Sequence, residues 1–447
     1  MDNFLRGRGA ASGLRPTSAL RRLPLILLVL VLTAVAAVAR AQSGPSEYVA
    51  AAADEVVANF RRQIALHEAG PVSRTLTQAG QYLFFRNRQL IAQLVDYLVQ
   101  PPPAQSEQRI NALLELLDAR KDWRDIDQLA LLGVINETRV RLPAGPLAAR
   151  LQKKREEIIA VRAAYNREVT AALDRTSGAG GRVEWNAYVA FLREQYPVAR
   201  ILDDLKAVLP DSAPAARSDP RVARALDDEW TDGGLPPKTV LLTFDDGPHP
   251  QYTVEILQIL AHYGLHAIFF QIGQNLGPAG GARAEVTRNA AVVAEILRDG
   301  HAIANHSYTH PVLPKLANVQ IDDEIDSTQG LLVAAAPGSA HVPLFRPPYG
   351  ARNDLVLTEI AARGLRSVLW NIDSRDWADP IPQSIAQRVI DEAAREGRGI
   401  ILFHDIHGRS VQALPIAIEG LLKRGFRFAH WDRESGVLAV DLAAPAR

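Results

Sequence analysis

The C-terminal half of the chain alternates short apolar segments with amphipathic ones, and this alternation constrains the fold more than any other feature. Thr239 to Phe244 and Gly399 to His404 are mainly apolar runs of the kind found in buried strands, whereas Thr253 to Tyr263 has helical spacing. Because parallel strands are joined by helical crossovers, seven such strands with intervening helices predict a parallel, barrel-like α/β fold for residues 238–447.

The preceding residues have a different periodicity. Between residues 42 and 209, apolar side chains such as Val56, Phe60 and Ile64 recur every three or four positions, which indicates helices. We predict an all-helical accessory domain there, with no role assigned to it and no protein partner identified. Residues 210–237 are rich in Pro, Asp, Ala and Gly, and this composition predicts a linker.

The first 41 residues have the pattern of a targeting segment. Several arginines precede an apolar run from Leu23 to Val38, and Ala39-Arg40-Ala41 then provides small residues at the spacing of a signal-peptidase site. The run is shorter than the roughly 20 residues of a typical spanning helix, which favours a cleaved signal. Export to the periplasm or the extracellular space is predicted; in the alternative, residues 23–38 attach the protein to the inner membrane.

Composition excludes several classes of partner and site. Lys and Arg together number 50, as do Asp and Glu, so the sequence lacks the basic excess of a nucleic-acid-binding protein. The sequence has no cysteine, which excludes disulfides, thiolate metal sites and cysteine nucleophiles. A metal ion would therefore be held by histidine and carboxylate side chains.

Polar residues stand at the carboxyl ends of the predicted strands, where parallel α/β barrels carry their active sites. They are Asp245 and Asp246 after the first strand, His306 and His310 after the third, Arg346 at the end of the fourth, Asp376 after the fifth and His404 at the end of the sixth. Side chains suited to acid–base chemistry and metal binding would not all fall at this edge by chance. We therefore predict one active site at the carboxyl edge of the sheet.

Asp245 and Asp246 are adjacent carboxylates beside an apolar strand, and burying both requires a cation or hydrogen-bond donors. Neighbouring residues of an extended chain point in different directions, so one carboxylate can bind a metal ion while the other acts as a base. His306 and His310 are four residues apart, a spacing at which two side chains on a helical turn face the same side. With Asp246 they form a set that suits Zn²⁺, although other divalent ions accept similar ligands.

Five short motifs carry a resemblance to a known family. They are TFDDGP from Thr243, HSYTH from His306, RPPYG from Arg346, DSRDW from Asp373 and LFHD from Leu402. In this order they resemble the motifs of the polysaccharide deacetylases, also called carbohydrate esterase family 4, which include the chitooligosaccharide deacetylases of nodulation. The resemblance extends from about Lys238 to Trp431 and implies a distorted (β/α) barrel of seven or eight strands. It does not reach the helical residues.

The resemblance also implies a role for individual residues. It implies that Asp245 is the general base, oriented by Arg346, and that Asp246, His306 and His310 are the metal ligands. It implies that His404 is the general acid, with Asp376 as its orienting partner. It also implies that the Tyr349 backbone N–H binds the oxyanion and that Trp377 and Leu402 are walls of the acetyl pocket. The implied cofactor is a divalent metal ion, with Zn²⁺ as the first choice. The implied partner is a polysaccharide substrate.

The predicted function is hydrolysis of N-acetyl groups from N-acetylglucosamine-containing glycans, such as peptidoglycan, chitin-like or β-1,6-linked polymers, to free amine and acetate. An O-acetyl esterase of the xylan-deacetylating type is the alternative on the same fold, because the same metal and base would serve an ester. A non-catalytic envelope scaffold acting through the helical domain is a third hypothesis. The complete set of catalytic residue types argues against the scaffold.

Overall fold

The computed structural model describes residues 44–69, 73–173, 183–209, 220–232, 234–280, 284–336, 341–432, 435 and 437–441. The predicted signal or anchor of residues 1–41 and the first part of the predicted linker, residues 210–219, lie outside the described residues. Within the described residues, no helix combines the length and the apolar character needed to cross a membrane.

The N-terminal half is helical, as its periodicity predicts. Its helices are α1 (Pro45–His67), α2 (Arg74–Val99), α3 (Pro103–Ala119), α4 (Leu132–Val140), α5 (Pro146–Leu173), α6 (Val183–Gln195), α7 (Val198–Leu205) and α8 (Pro220–Asp227), with a short 3₁₀ helix at Asp125–Leu131. The apolar stripe of α1, including Val56, Phe60 and Ile64, is buried in one continuous core of these helices. Pro197 separates α6 from α7, because proline lacks the N–H that a continuous helix would use.

The predicted linker is ordered in its described part. It contains α8, and the residues that follow run along the α/β half of the protein. Trp230 forms an isolated parallel bridge with Val368. Glu229 accepts hydrogen bonds from Arg352 and from Ser367. These contacts attach residues 220–237 to the sheet instead of leaving them as a free spacer.

The C-terminal half is the α/β unit that the alternating pattern predicts. Its strands are β1 (Thr239–Asp245), β2 (Ile268–Gln271), β3 (Ala302–Asn305), β4 (His341–Phe345), β5 (Arg366–Ser367), β6 (Ile372–Asp373), β7 (Gly399–His404), β8 (Arg427–Asp432) and β9 (Val437–Asp441). Its helices are α9 (Tyr252–Tyr263), α10 (Ala290–Arg298), α11 (Asn318–Ala335), α12 (Asp354–Ala362), α13 (Pro382–Glu396) and α14 (Gly408–Lys423). A second apolar core lies between these helices and the sheet.

The strands are hydrogen-bonded in the order β5-β4-β3-β2-β1-β7-β6, and all of these pairs are parallel. β8 pairs in parallel with the start of β1, and β9 pairs antiparallel with β8. In the described part of the chain, no ladder joins β5 to β6. The mixed α/β sheet is therefore confirmed, whereas closure into a barrel stays a prediction.

The sequence from Ser367 to Ile372 predicts one continuous strand, and this prediction is wrong. The structure has two short strands there, β5 and β6, separated by residues 368–371. The backbone oxygens of Val368 and Leu369 accept hydrogen bonds from the Arg346 guanidinium. Because buried carbonyls need only one such donor to be satisfied, these residues do not have to pair with a strand at this point.

The register of the sheet brings the predicted site together. Asp245 at the end of β1 lies opposite His404 at the end of β7, and Asp245 also lies opposite Phe270 of β2. Behind this edge, Phe244 stacks on Phe269 and Phe403 with ring centroids 5.1 and 6.0 Å apart. The aromatic layer fixes the strands whose ends carry the polar residues.

Candidate active site

Asp245 is held by a guanidinium that has no exposure to solvent. Arg346 Nη1 donates to Asp245 Oδ1 at 2.7 Å and to Thr243 Oγ1 at 2.9 Å. The remaining donors of Arg346 reach the backbone oxygens of Val368 and Leu369. Burial lowers the pKa of Arg346, and the Asp245 carboxylate opposes that shift. The ion pair therefore fixes the direction in which the second oxygen of Asp245 points.

The second carboxylate, Asp246, meets two imidazoles. Its Oδ1 lies 3.5 Å from His306 Nε2 and 3.3 Å from His310 Nε2, and all three side chains are buried. The three ligand atoms lie within 4.8 Å of one another. Asp246 Oδ1 has no hydrogen-bond partner among the described residues although it is buried. A buried carboxylate oxygen facing two ring nitrogens has the geometry of a site for a divalent cation.

The tautomer of His306 is fixed for metal binding. His306 Nδ1 lies 2.6 Å from the backbone oxygen of Arg346 and must donate to it, which leaves Nε2 as the lone-pair atom. Burial lowers the pKa of His310 to about 3, so its imidazole is neutral. Burial would raise the pKa of Asp246, but His310, His306, His404 and Arg88 together hold that pKa far below its usual range. The donor set is thus one carboxylate oxygen and the Nε2 atoms of two imidazoles.

The two histidines are not on a helical turn, so that part of the spacing argument is wrong. Residues 306–310 form a loop after β3, and Ser307 and His310 have φ values of 65° and 59°. Asp246 and Tyr349 also have positive φ, at 75° and 61°. Non-glycine residues rarely adopt this conformation, and strain of this kind collects at functional sites. The two imidazoles therefore lie side by side because of the positive-φ backbone of this loop, and not because of the periodicity of a helix.

A second polar pair stands beside the first. His404 Nδ1 lies 2.7 Å from Asp376 Oδ1, and the His404 backbone N–H donates to Asp376 Oδ2 at 2.8 Å. Ser410 Oγ also donates to Asp376 Oδ2. Burial disfavours the charged imidazole, but the charge and hydrogen bond of Asp376 outweigh it and raise the pKa of His404 to about 9. His404 therefore carries a proton through the neutral range.

Residues of the predicted pocket surround these groups. Trp377 and Leu402 are buried, at 2% and 0% exposure, and Leu402 lies opposite Thr243 in the sheet. The Tyr349 hydroxyl donates to the backbone oxygen of His310 at 3.2 Å. Burial raises the pKa of Tyr349 well above its ordinary value, so this hydroxyl stays neutral. All ten residues predicted from sequence thus lie at or beside the carboxyl edge of the sheet.

Gly247 of the first motif allows a close approach to β7. A Cβ atom at this position would lie 2.2 Å from Asp405 Oδ2. Asp405 is fully buried and accepts a hydrogen bond from Thr253. Burial raises the pKa of Asp405 to about 7. The absence of a side chain at Gly247 therefore makes room for the buried Asp405 carboxyl group.

Sequence analysis missed a third set of residues, which comes from the helical half. Phe85 of α2 stacks on His310 with ring centroids 4.2 Å apart, and Arg88 Nη1 lies 3.4 Å from Asp246 Oδ2. Phe84 packs against His404 at 5.8 Å. In the sequence these aromatic residues blend into the apolar stripe of an ordinary amphipathic helix. No local signal distinguishes a side chain that packs in its own core from one that packs on a distant site.

Comparisons with known proteins agree with the motifs. Residues 232–368 match the family model described as polysaccharide deacetylase. The chain is 35% identical over 211 residues to a chitooligosaccharide deacetylase of Rhizobium leguminosarum bv. trifolii, an alignment that covers 44% of this chain and 92% of that protein. It is 33% identical to a peptidoglycan-N-acetylglucosamine deacetylase of Bacillus cereus, with 43% and 85% coverage. A solved family 4 carbohydrate esterase from Streptomyces lividans in complex with acetate is 34% identical, with coverage of 46% and 98% and a TM-score of 0.38.

The geometry predicts that His310 binds a metal ion. His310→Ala should weaken Zn²⁺ binding by at least about 100-fold, because losing a direct ligand costs more than the 10–100-fold typical of an outer partner. The measurement is calorimetric titration of Zn²⁺ into metal-stripped protein. His262→Ala is the control, since His262 lies on the exposed face of α9. Equal affinities in the two variants would contradict the assignment.

Proposed function

Because the chain belongs to the polysaccharide deacetylase family, we propose that it is a metal-dependent deacetylase that releases acetate from N-acetylglucosamine residues of a glycan. The observation that carries the proposal is the set of two buried groups at one sheet edge. Asp245 and Asp246 form the first with their histidines, and His404 with Asp376 forms the second. An amide needs both a base for the attacking water and an acid for the departing amine.

Asp246, His306 and His310 would hold the ion, and we propose Zn²⁺ because two imidazoles and one carboxylate are typical of its catalytic sites. When bound, a divalent ion lowers the pKa of water and polarises the carbonyl of the substrate. The unpaired Asp246 Oδ1 and the fixed Nε2 of His306 support this ligand set. The remaining steps belong to the side chains of the chain itself.

Asp245 acts as the general base in this proposal. Its Oδ1 is occupied by Arg346, so Oδ2 is the oxygen left to accept a proton from water, and Oδ2 lies 3.5 Å from His306 Nε2. The base therefore faces the same space as the metal ligands. Arg346 is a positioning residue: it orients the Asp245 carboxylate without reaching the substrate.

His404 acts as the general acid. Its Nδ1 is bound to Asp376, so Nε2 is the atom that donates a proton to the amine nitrogen as the C–N bond breaks. An amine leaves slowly as an anion, and protonation removes that barrier. The Tyr349 backbone N–H is proposed to stabilise the oxyanion, and Trp377 and Leu402 to enclose the acetyl methyl group. The buried, apolar character of the last two supports that role.

N-acetylglucosamine is the proposed sugar because two of the relatives are named for chitooligosaccharide and peptidoglycan N-acetylglucosamine. Such polymers lie outside the cytoplasm, which agrees with a signal or anchor in residues 1–41. We propose a division into a helical domain at 42–209, a connection at 210–237 and a catalytic domain at 238–447. We propose that the catalytic domain forms the distorted barrel that the family resemblance implies.

The base assignment predicts that Asp245→Asn lowers kcat by about 10²–10⁴-fold, the usual contribution of a general base. Zn²⁺ affinity should stay close to that of the unmodified protein, because Asp246 and both histidines remain. Acetate release is measured on peptidoglycan, acetylated chitooligomers and β-1,6-linked N-acetylglucosamine. Asp391→Asn is the control, because the Asp391 side chain is 62% exposed. If the protein released acetate from none of these substrates with Zn²⁺ present, the proposed function would fail.

The acid assignment predicts a difference between amide and ester substrates. The His404→Ala substitution should lower kcat/KM by about 10²–10⁴-fold on an N-acetyl substrate and by much less on acetylated xylan. The reason is that an alcohol leaves without prior protonation more easily than an amine. The ratio of the two kcat/KM values is the measurement. An equal loss of kcat/KM on both substrates would contradict the acid assignment. If the unmodified protein also preferred the ester, the O-acetyl esterase alternative would be favoured.

The pKa of His404 predicts the alkaline side of the pH profile. Because His404 donates a proton only in its charged form, kcat should fall as pH rises past about 9. Asp376→Asn removes the negative charge that raises this pKa, so the descending limb should move to lower pH. The kcat profile from pH 6 to pH 10.5 is the measurement, with Asp391→Asn as the unchanged reference. A limb that stays in place in Asp376→Asn would show that another group supplies the proton.

A further inference from the structure

One face of α2 lies directly on the active site. The side chains of this face follow helical spacing, from Gly80 through Phe84 and Phe85 to Arg88. They meet four different groups of the site, namely the acetyl-pocket wall, the general acid, a metal ligand and the ligand carboxylate. No other helix of the described N-terminal half reaches the metal-ligand group with a charged side chain.

The aromatic residues of α2 fill the space over the reactive groups. Phe85 stacks on His310 at an interplanar angle of 28°, and Phe84 packs on His404 and edge-on to His407 at 5.3 Å. Trp377 packs with Phe84 in one small apolar cluster. As a result His310, His404 and Trp377 have exposures of only 6%, 5% and 2%. A sugar ring would have to approach these same surfaces.

Arg88 supplies positive charge where the proposed ion would bind. Its Nη1 lies 3.4 Å from Asp246 Oδ2, and its own side chain is 30% exposed. A divalent ion between Asp246 and the two histidines would stand a few ångströms from this guanidinium, and like charges at that distance repel. A guanidinium at Oδ2 and an ion at Oδ1 would therefore each weaken the binding of the other to Asp246.

Two further contacts, one of α2 and one of the neighbouring α1, hold the helical half against the α/β half. Gly80 is in contact with the Trp377 ring, where a Cβ atom would lie 2.2 Å from Cζ3. At the end of α1, His67 Nε2 lies 3.0 Å from Arg388 Nη2 and 3.7 Å from Asp379 Oδ2. On its other face α2 belongs to the helical core through Leu83, Leu94 and Leu98. The helix thus cannot leave the site unless the helical half shifts with it.

We propose that α2 is an autoinhibitory cover that closes the deacetylase site, with Arg88 paired to Oδ2 of the ligand carboxylate, beside the Oδ1 atom that would bind the metal ion. The inference rests on the proposed function, since it presumes a metal-dependent deacetylase underneath. In the closed state the glycan has no access to His404 or to the metal ligands. Opening requires α2 to separate from the sheet edge. A cation in the metal site would favour opening, because its positive charge would repel the Arg88 guanidinium.

The first test is Zn²⁺ affinity, which does not depend on turnover. Arg88→Gln should lower the Kd of the full chain for Zn²⁺ by at least about tenfold, because a competing cation is removed. Arg86→Gln is the matched control: it removes the same charge from the same helix, but Arg86 is exposed. Calorimetric titration of metal-stripped proteins is the measurement. Equal Kd values for the two variants would overturn the proposal.

The second test is activity at saturating Zn²⁺. Arg88→Gln should raise kcat/KM for acetylated chitotetraose at least about threefold, because more molecules are open. Gly80→Ala should do the same by pushing α2 off Trp377, and it keeps the test decisive if Arg88→Gln folds poorly. Gly133→Ala is its control, because its Cβ would lie at an ordinary 3.6 Å from Ile91. Rates at or below that of the unmodified protein would mean that α2 is part of the working site.

The two tests separate this proposal from the one beneath it. If no variant releases acetate from any glycan, the deacetylase assignment fails, and the Zn²⁺ affinities of Arg88→Gln and Arg86→Gln still decide whether α2 covers the site. If acetate is released equally by all variants, the deacetylase assignment stands and the cover is overturned.

Discussion

Two adjacent carboxylates are buried at the end of β1, and the architecture around the site follows from the need to neutralise them. A buried ion without a partner costs several kcal/mol, so each carboxylate requires positive charge. Asp245 is neutralised by Arg346, which is itself fully buried and must satisfy its remaining donors. It does so on the backbone oxygens of Val368 and Leu369, and the strand that would otherwise continue there divides into β5 and β6. Arg346 thus orients Asp245 and also binds the backbone between β5 and β6.

Asp246 has no such permanent partner. Two imidazoles lie beside it, burial lowers the pKa of one of them, His310, to about 3, and one oxygen of Asp246 has no hydrogen bond among the described residues. Arg88 of α2 supplies positive charge to its other oxygen, and a bound cation would supply more. The difference between the two carboxylates explains how neighbours in sequence can have separate chemistry. Asp245 is held by the buried Arg346, whereas Asp246 keeps one oxygen free that a cation could bind.

Much of the α/β half could be predicted from the sequence because its signals are local. Apolar runs identified β1 and β7, and the rule that parallel strands carry function at their carboxyl ends located Asp245 and His404 before any coordinates. The prediction of a helical turn at His306 and His310 was wrong, because spacing alone cannot distinguish a helix from a loop held by positive φ values. The break between β5 and β6 depends on a side chain more than twenty residues earlier in the sequence, which no local window contains.

The contact between α2 and the site could not be predicted for a related reason. Phe84 and Phe85 satisfy the apolar periodicity of a helix, and Arg88 reads as an ordinary solvated charge, so each residue has a sufficient local explanation. Only the packing of the helical half against the α/β half shows that this face of α2 also contacts the active-site residues. The consequence is physical: the helix that stabilises the N-terminal core also supplies a counter-charge to Asp246. The contact of α2 with Asp246 and the proposed binding of a metal ion therefore involve the same carboxylate, and in our proposal a shift of the helical half away from the sheet edge would expose Asp245, Asp246 and His404 together.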